Sequence, residues 1–307
     1  MAHERATMSE ASHDRVLLAI VLRLASVLVF AVMNAVIKLA EASGAHLAET
    51  IFFRQSFALI PVTLWIAAGP GLATIRTRRI GAHVLRTAMG LISMCFVFST
   101  ILLLPLAEST TLQFTLPIWA TILGALVLRE QVGWHRWAAV IAGFVGVLII
   151  TRPGGGMAPL GVFTGLMGAL LSASVSILLR QIGKTEGAAT TVFWFSALSV
   201  PPTGLAFLLT MTPHPWETWG WLMLVGVCGG VAQLFMTASL KLAPVSLVVP
   251  MDYTGLVWAT LFGFVLFGVL PGWATWAGAP FVIGSGLYIV WRERVRAKAN
   301  VQKIVVS

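Results

Sequence analysis

The chain has 307 residues, of which 58% are hydrophobic and only 10% charged, against about 25% charged residues in ordinary soluble domains. No water-facing surface can be built from that composition, so a soluble globular protein is excluded. The net charge of +9 would suit a nucleic-acid binder, but basic residues crowded beside apolar runs serve to orient a membrane protein.

Residues 1–14 are polar and lead into a long apolar stretch with no small-residue cleavage site, so no removable signal peptide is expected. Charged and Pro/Gly-rich punctuation then predicts ten spans, at 15–40, 47–67, 80–104, 107–128, 134–151, 159–182, 189–211, 216–241, 244–268 and 273–291. Their lengths fall near the roughly 20 residues that cross a bilayer as a helix. A β-barrel would show alternating segments of about ten residues instead. The basic residues orient the bundle. With both termini cytoplasmic, the inner segments hold Arg5, Arg15, Arg76, Arg78, Arg79, Arg129, Arg136, Arg180, Lys184, Lys241, Arg292, Arg294, Arg296, Lys298 and Lys303, and the outer loops hold only Arg152. Most tryptophans sit at span ends as interfacial anchors. Trp119 and Trp258 fall near mid-span, and Trp194 lies one turn inside span 7.

Shifting the chain by 139 residues superimposes Trp119-Ala120-Thr121 on Trp258-Ala259-Thr260, Gly124 on Gly263, Gly133-Trp134 on Gly272-Trp273 and Trp137 on Trp276. Each repeat holds five spans, an odd number, so the second copy enters the membrane from the opposite side. The expected fold is an all-α polytopic membrane protein with ten transmembrane helices in two inverted five-helix repeats, an arrangement typical of secondary transporters. The expected divisions are a cytoplasmic tail at 1–14, repeats at 15–152 and 159–292, a linker at 153–158 and a basic cytoplasmic tail at 293–307. Small-residue pairs such as Ala139/Gly143, Ala142/Gly146 and Gly161/Gly165 read as helix-packing positions. Pro61, Pro117, Pro201-Pro202, Pro250 and Pro280 interrupt helices.

Several stretches together resemble the EamA-type pattern of the drug/metabolite transporter superfamily. They are Asn34 to Lys38, Glu49 with Arg54, Leu104-Pro105-Leu106-Ala107-Glu108, Pro117 with Leu128-Arg129-Glu130, and Thr151-Arg152-Pro153. The second repeat departs from it: the acidic residue equivalent to Glu130 falls at Val269. Val249-Pro250-Met251-Asp252-Tyr253 is similar to the aromatic amino-acid exporter branch. The resemblance implies export of amino acids or related metabolites across the inner membrane by alternating access. A broad drug/metabolite or nucleotide-type carrier is the alternative.

Ionisable groups within a bilayer are costly and mark functional candidates. Arg23, Arg86 and Asp252 form an inner layer, and Lys38, Glu49, Arg54 and Glu108 an outer one. The functional expectation is an inner gate, with Asp252 pairing Arg86 or Arg23 when the cytoplasmic side closes, and an outer charge network. The competing expectation has Arg23 and Arg86 snorkelling, Glu49 and Arg54 in a static pair, and Glu108 capping span 4. Substrate-binding candidates near mid-depth are Asn34, Ser93, Gln113, Trp119, Ser174, Gln233, Tyr253 and Trp258. The glutamines are favoured because an amide facing lipid is expensive. For the serines back-bonding to the i−4 carbonyl competes, and for the tryptophans lipid-facing packing.

Cys95 and Cys228 lie inside apolar runs, and the histidines fall in tails, loops or span ends without metal-ligand spacing. A membrane-embedded enzyme is therefore disfavoured, and a channel or structural subunit is the remaining class. The expected partners are a small-molecule substrate and the lipid bilayer, with no nucleic acid, metal or cofactor, in a monomer or weak homo-oligomer.

Overall fold

A computed structural model describes residues 2–306 except 70, 128, 130, 131, 153–156, 184 and 244, and the side chains of 15–292 and 295 apart from those residues and 180, 188, 245 and 246. Most of the linker expected at 153–158, and Leu128 and Glu130 at the end of span 4, therefore lie outside the described residues. Among the described residues the chain is helical and carries no strand. Nine helices there are long and apolar enough to cross a membrane.

The first three helices are α1 (Ala2–Ala42), α2 (Leu47–Ala68) and α3 (Ile80–Leu103). The expected fourth span is not continuous but split into α4 (Leu106–Gln113) and α5 (Leu116–Leu126). Next come α6 (Trp134–Thr151), α7 (Pro159–Ile182), α8 (Ala188–Thr210) and α9 (Trp216–Leu242). The expected ninth span is also broken, into α10 (Val245–Val248), a 3-10 stretch over Val249–Thr254, and α11 (Gly255–Phe267). α12 (Trp273–Val306) closes the chain. α1 and α12 run beyond the expected spans into the polar ends, whose Ala, Glu, Arg and Lys content favours continued helix and which lack Pro and Gly.

Both breaks have a local cause. Pro117 opens α5 and Pro250 sits in the 3-10 stretch. Each lacks the N–H that would bond one turn back, and its ring clashes there with the helical carbonyl. The hydroxyl of Thr115 donates to the Leu112 carbonyl at 2.7 Å, and that of Thr254 to the Met251 carbonyl at 2.7 Å. These two bonds, like the starts of α5 and α11, are related by the 139-residue shift. So are the left-handed residues that follow the helices, Arg129 at φ 53° and Gly268 at φ 65°.

Helix packing crosses between the two halves of the chain. α1 lies along α9 and α3 along α7; α2 packs on α8 and α9, and α6 on α12. α5 meets α7, α11 meets α1, and α4 meets α11. The α6–α12 contact closes at Gly146 and Gly278, where a Cβ on either would stand 2.8 or 2.6 Å from the other's carbonyl oxygen. Outward positions carry exposed Leu64, Leu126, Leu208, Leu209, Trp216 and Trp273, the belt a bilayer-embedded bundle presents.

Candidate functional site

We call the face at which α1 begins the lower face; there Ala19 packs with Ala243 and Val248, and Lys241 lies over the Trp65 ring. A cavity of about 410 Å³ lies in the bundle, lined by residues that include Asn34 of α1, Arg54 of α2, Arg86 and Ser93 of α3, Leu116 at the start of α5, Phe195 of α8 and Gln233 of α9. A lobe of about 230 Å³ shares Phe30, Asn34 and Met236 with it and reaches Arg23, Thr110, Asp252 and Gly255. Another, of about 350 Å³, shares Arg86, Gln233 and Met236 and extends to Glu186 and Lys241 at the lower ends of α7 and α9. Leu116, Asp252 and Gly255 bring both broken spans to this space. Discontinuous helices suit such a place because their ends leave backbone groups free to face a ligand.

The two arginines of the main cavity differ from Arg23, which meets a carboxylate. Arg54 and Arg86 are each only 6% exposed. The Arg86 guanidinium lies 3.5 Å above the centre of the Phe195 ring, and that of Arg54 lies 5.9 Å from the same ring. Arg54 donates to Gln55 and to the side-chain oxygen of Gln233 at 3.2 Å, while its Nε has no partner. Arg86 has no hydrogen-bond partner on Nε or Nη1 among the described residues. A cation over an aromatic face gains about 2 kcal/mol when desolvated, whereas burying an ion costs several kcal/mol. Phe195 alone therefore does not offset the burial. Both side chains lie across glycines: a Cβ at Gly90 would stand 2.6 Å from Arg86 Nη1 and 2.9 Å from Phe195 Cε2, and one at Gly229 3.1 Å from Arg54 Nε.

The other expected charges each meet a polar partner, and two of them, Arg23 and Glu49, meet a side chain that can carry the opposite charge. Arg23 forms a two-pronged pair with Asp252, Nε to Oδ1 at 2.6 Å and Nη2 to Oδ2 at 2.5 Å. Asp252 thus meets Arg23, not Arg86. Glu49 and Arg54 do not meet. Glu49 accepts from the His46 backbone at 2.7 Å, from the Thr212 backbone at 3.2 Å, and lies 2.9 Å from His214 Nε2. Lys38 donates to the carbonyls of Ile101 and Leu104 at 3.1 and 2.7 Å, at the end of α3. Glu108 accepts from Thr275 at 3.2 Å and leaves its second oxygen unpartnered.

Of the binding candidates, Asn34, Ser93 and Gln233 line the main cavity. Ser174 is not among its lining and back-bonds to Leu170 at 3.1 Å; Ser172 and Ser176 line the cavity instead, with Ser172 2.9 Å from Ser93. Trp119 packs edge-on against Phe144 and Trp258 stacks on Phe262. The Gln113 amide nitrogen is buried without a partner, and Gln113 does not line the three lobes. Tyr253 packs its ring on Phe114 at 4.9 Å between centroids, its hydroxyl buried against Gly286. Phe195, Ser172 and Ser176 escape sequence reading because an aromatic or serine in an apolar run resembles core; only the i, i+4 spacing of the two serines hints at a shared face.

The description "EamA-like transporter family" matches residues 17–152 and again 159–291. Curated relatives include a riboflavin transporter of Vibrio cholerae, 28% identical over 88% of this chain and 92% of its own. An S-adenosylmethionine uptake transporter of Rickettsia conorii is 23% identical over 81% and 84%. A pseudopaline exporter of Pseudomonas aeruginosa is 26% identical over 83% and 89%. A protein of known crystal structure, 19% identical, covers 89% of this chain and 96% of its own with a TM-score of 0.57, a likeness of fold.

Proposed function

Because the chain belongs to the EamA-like transporter family, a family of membrane transporters and not of enzymes, we propose that it carries a small organic metabolite across the inner membrane through the central cavity, by alternating access between two inverted five-helix halves. The observation that carries this reading is the cavity itself, bounded by both broken spans and continued by a lobe toward the lower face. The repeat-related breaks and the packing of helices across the halves support the inverted arrangement. The lower face is taken as cytoplasmic, because Arg76, Arg79, Arg136 and Lys241 gather at the helix ends there and Arg152 at the other.

A volume of about 410 Å³ falls in the range that holds drug-sized ligands. It favours a broader metabolite of the size class to which riboflavin and S-adenosylmethionine, named for two relatives, belong. Export of a hydrophobic amino acid is the second reading, favoured by the amide and hydroxyl groups of Asn34, Ser93 and Gln233 among apolar neighbours.

Counterflow in proteoliposomes tests both. Purified protein, preloaded with unlabelled tryptophan or riboflavin, is expected to show saturable uptake of the labelled compound that counter-substrate stimulates. Flux that does not saturate, at channel rates, would overturn the carrier. Competition by riboflavin but by no amino acid would remove the second reading.

A further inference from the structure

Two guanidinium groups held in a membrane-embedded cavity, each more than nine-tenths buried and neither in salt-bridge contact with a carboxylate among the described residues, need a negative partner. Snorkelling does not provide one, because a snorkelling arginine exposes its head to water or headgroups, and these heads are shielded. Structural pairing does not provide one either. The side chains that accept from Arg54, Gln55 and Gln233, are neutral, and Glu186, which lines a lobe with Arg86, is engaged instead by Thr77 at 2.8 Å and lies 3.9 Å from His83 Nε2. The protein nonetheless preserves the arrangement: Gly90 and Gly229 leave the room in which Arg86 and Arg54 lie, and Phe195 offers its face to both.

We infer that Arg54 and Arg86 form a receptor for the anionic group of the cargo, a carboxylate or phosphate monoester carried on an apolar body. Stacked on Phe195, Arg86 keeps its N–H edge for hydrogen bonding, and guanidinium matches the two oxygens of a carboxylate or phosphate in a planar fork. Met33, Met94 and Phe98 line the rest of the same cavity; methionine adapts its shape to irregular apolar partners. A cargo that brings its own negative charge offsets the charge of the site on entry, in part with a carboxylate and nearly in full with a phosphate monoester, and this favours binding where an uncharged relative of the same shape would leave both cations bare. The inference rests on the carrier reading for its biological use, but the anion site itself can be tested without transport.

The test uses matched probes on the full chain in neutral detergent: 3-phenylpropanoate, its uncharged amide 3-phenylpropanamide, and phenyl phosphate, each scored by thermal shift and by titration. The acid and the phosphate are expected to bind at least about tenfold more tightly than the amide, the ratio that one charge-assisted hydrogen bond supplies. Arg86→Gln should erase that preference, and Arg86→Lys should keep part of it. If Arg86→Gln fails to fold, Arg54→Gln and the acid-to-amide ratio of the unaltered protein carry the same information. Equal binding of acid and amide, or no anion stabilising the protein, overturns the inference. An arm with phosphatidylglycerol micelles separates a lipid headgroup from a free anion: stabilisation by the lipid alone overturns it too. Anion binding without counterflow would sink the carrier reading and leave the site standing, whereas saturable counterflow of a neutral cargo that 3-phenylpropanoate does not inhibit would do the reverse.

Discussion

The lobe beside α11 and the main cavity each hold arginine inside the membrane, but they balance it in opposite ways. Arg23 is met by both oxygens of Asp252, so the charge is settled within the chain. Arg54 and Arg86 face amides and an aromatic ring. A satisfied pair contributes a fixed contact between α1 and the broken ninth span. An unsatisfied pair stores affinity for something that arrives from outside. The same residue type therefore serves architecture in one lobe and reception in the other, and the presence of a carboxylate decides which.

The largest effect that would sharpen this contrast is at Asp252. Asp252→Asn leaves Arg23 nearly buried and uncompensated, and should cost about 3 kcal/mol, the low end for an orphaned buried ion, because the Asp252 side chain is 36% exposed. The double variant Arg23→Met with Asp252→Leu should recover most of the loss in thermal unfolding in lipid nanodiscs. Neutralising Arg86 should run the other way and leave the melting temperature unchanged or higher; a drop as large as that of Asp252→Asn would erase the distinction.

Gly90→Ala comes next. Its methyl must push Arg86 off Phe195, and overpacking of this kind costs about 1–3 kcal/mol; we expect transport to fall with little loss of folded protein, measured by counterflow against yield. Phe195→Leu stays apolar but removes the ring face, and should weaken cargo affinity about fivefold, read as a raised KM, for a loss of about 1 kcal/mol of cation–π attraction. The smallest effect separates two neighbouring serines. Ser172→Ala should raise KM, whereas Ser174→Ala, which loses only a bond to its own helix, should change KM and stability by less than about 0.5 kcal/mol, the range of substitutions away from special features.

Much of the architecture is legible in the sequence because apolar length and punctuation are local. Spans expected at 134–151 and 159–182 coincide with α6 and α7, set by Gly133 before one and Pro159 at the start of the other. The fourth and ninth spans read as continuous because hydropathy records what side chains prefer and not whether each backbone N–H finds its carbonyl; Pro117 and Pro250 were the visible marks of the breaks. Within the site, Asn34, Ser93 and Gln233 stand out as polar residues in apolar runs. The pairing of charges was less readable. Glu49 and Arg54, five residues apart on one helix, point to different faces, and so the carboxylate reaches His214 while the guanidinium turns to the cavity. Phe195 carries no signal until the fold sets Arg86 upon it.

Phe114 and Tyr253, which touch ring to ring at mid-depth, occupy matching places under the 139-residue shift. When two like halves trade conformations, most contacts between them must be exchanged for different ones. A contact between equivalent residues is the exception, since swapping the halves maps it onto itself. In the alternating-access cycle proposed above, these two rings would form the fulcrum of the molecule, a point that can stay engaged while the space on either side of it opens and closes in turn.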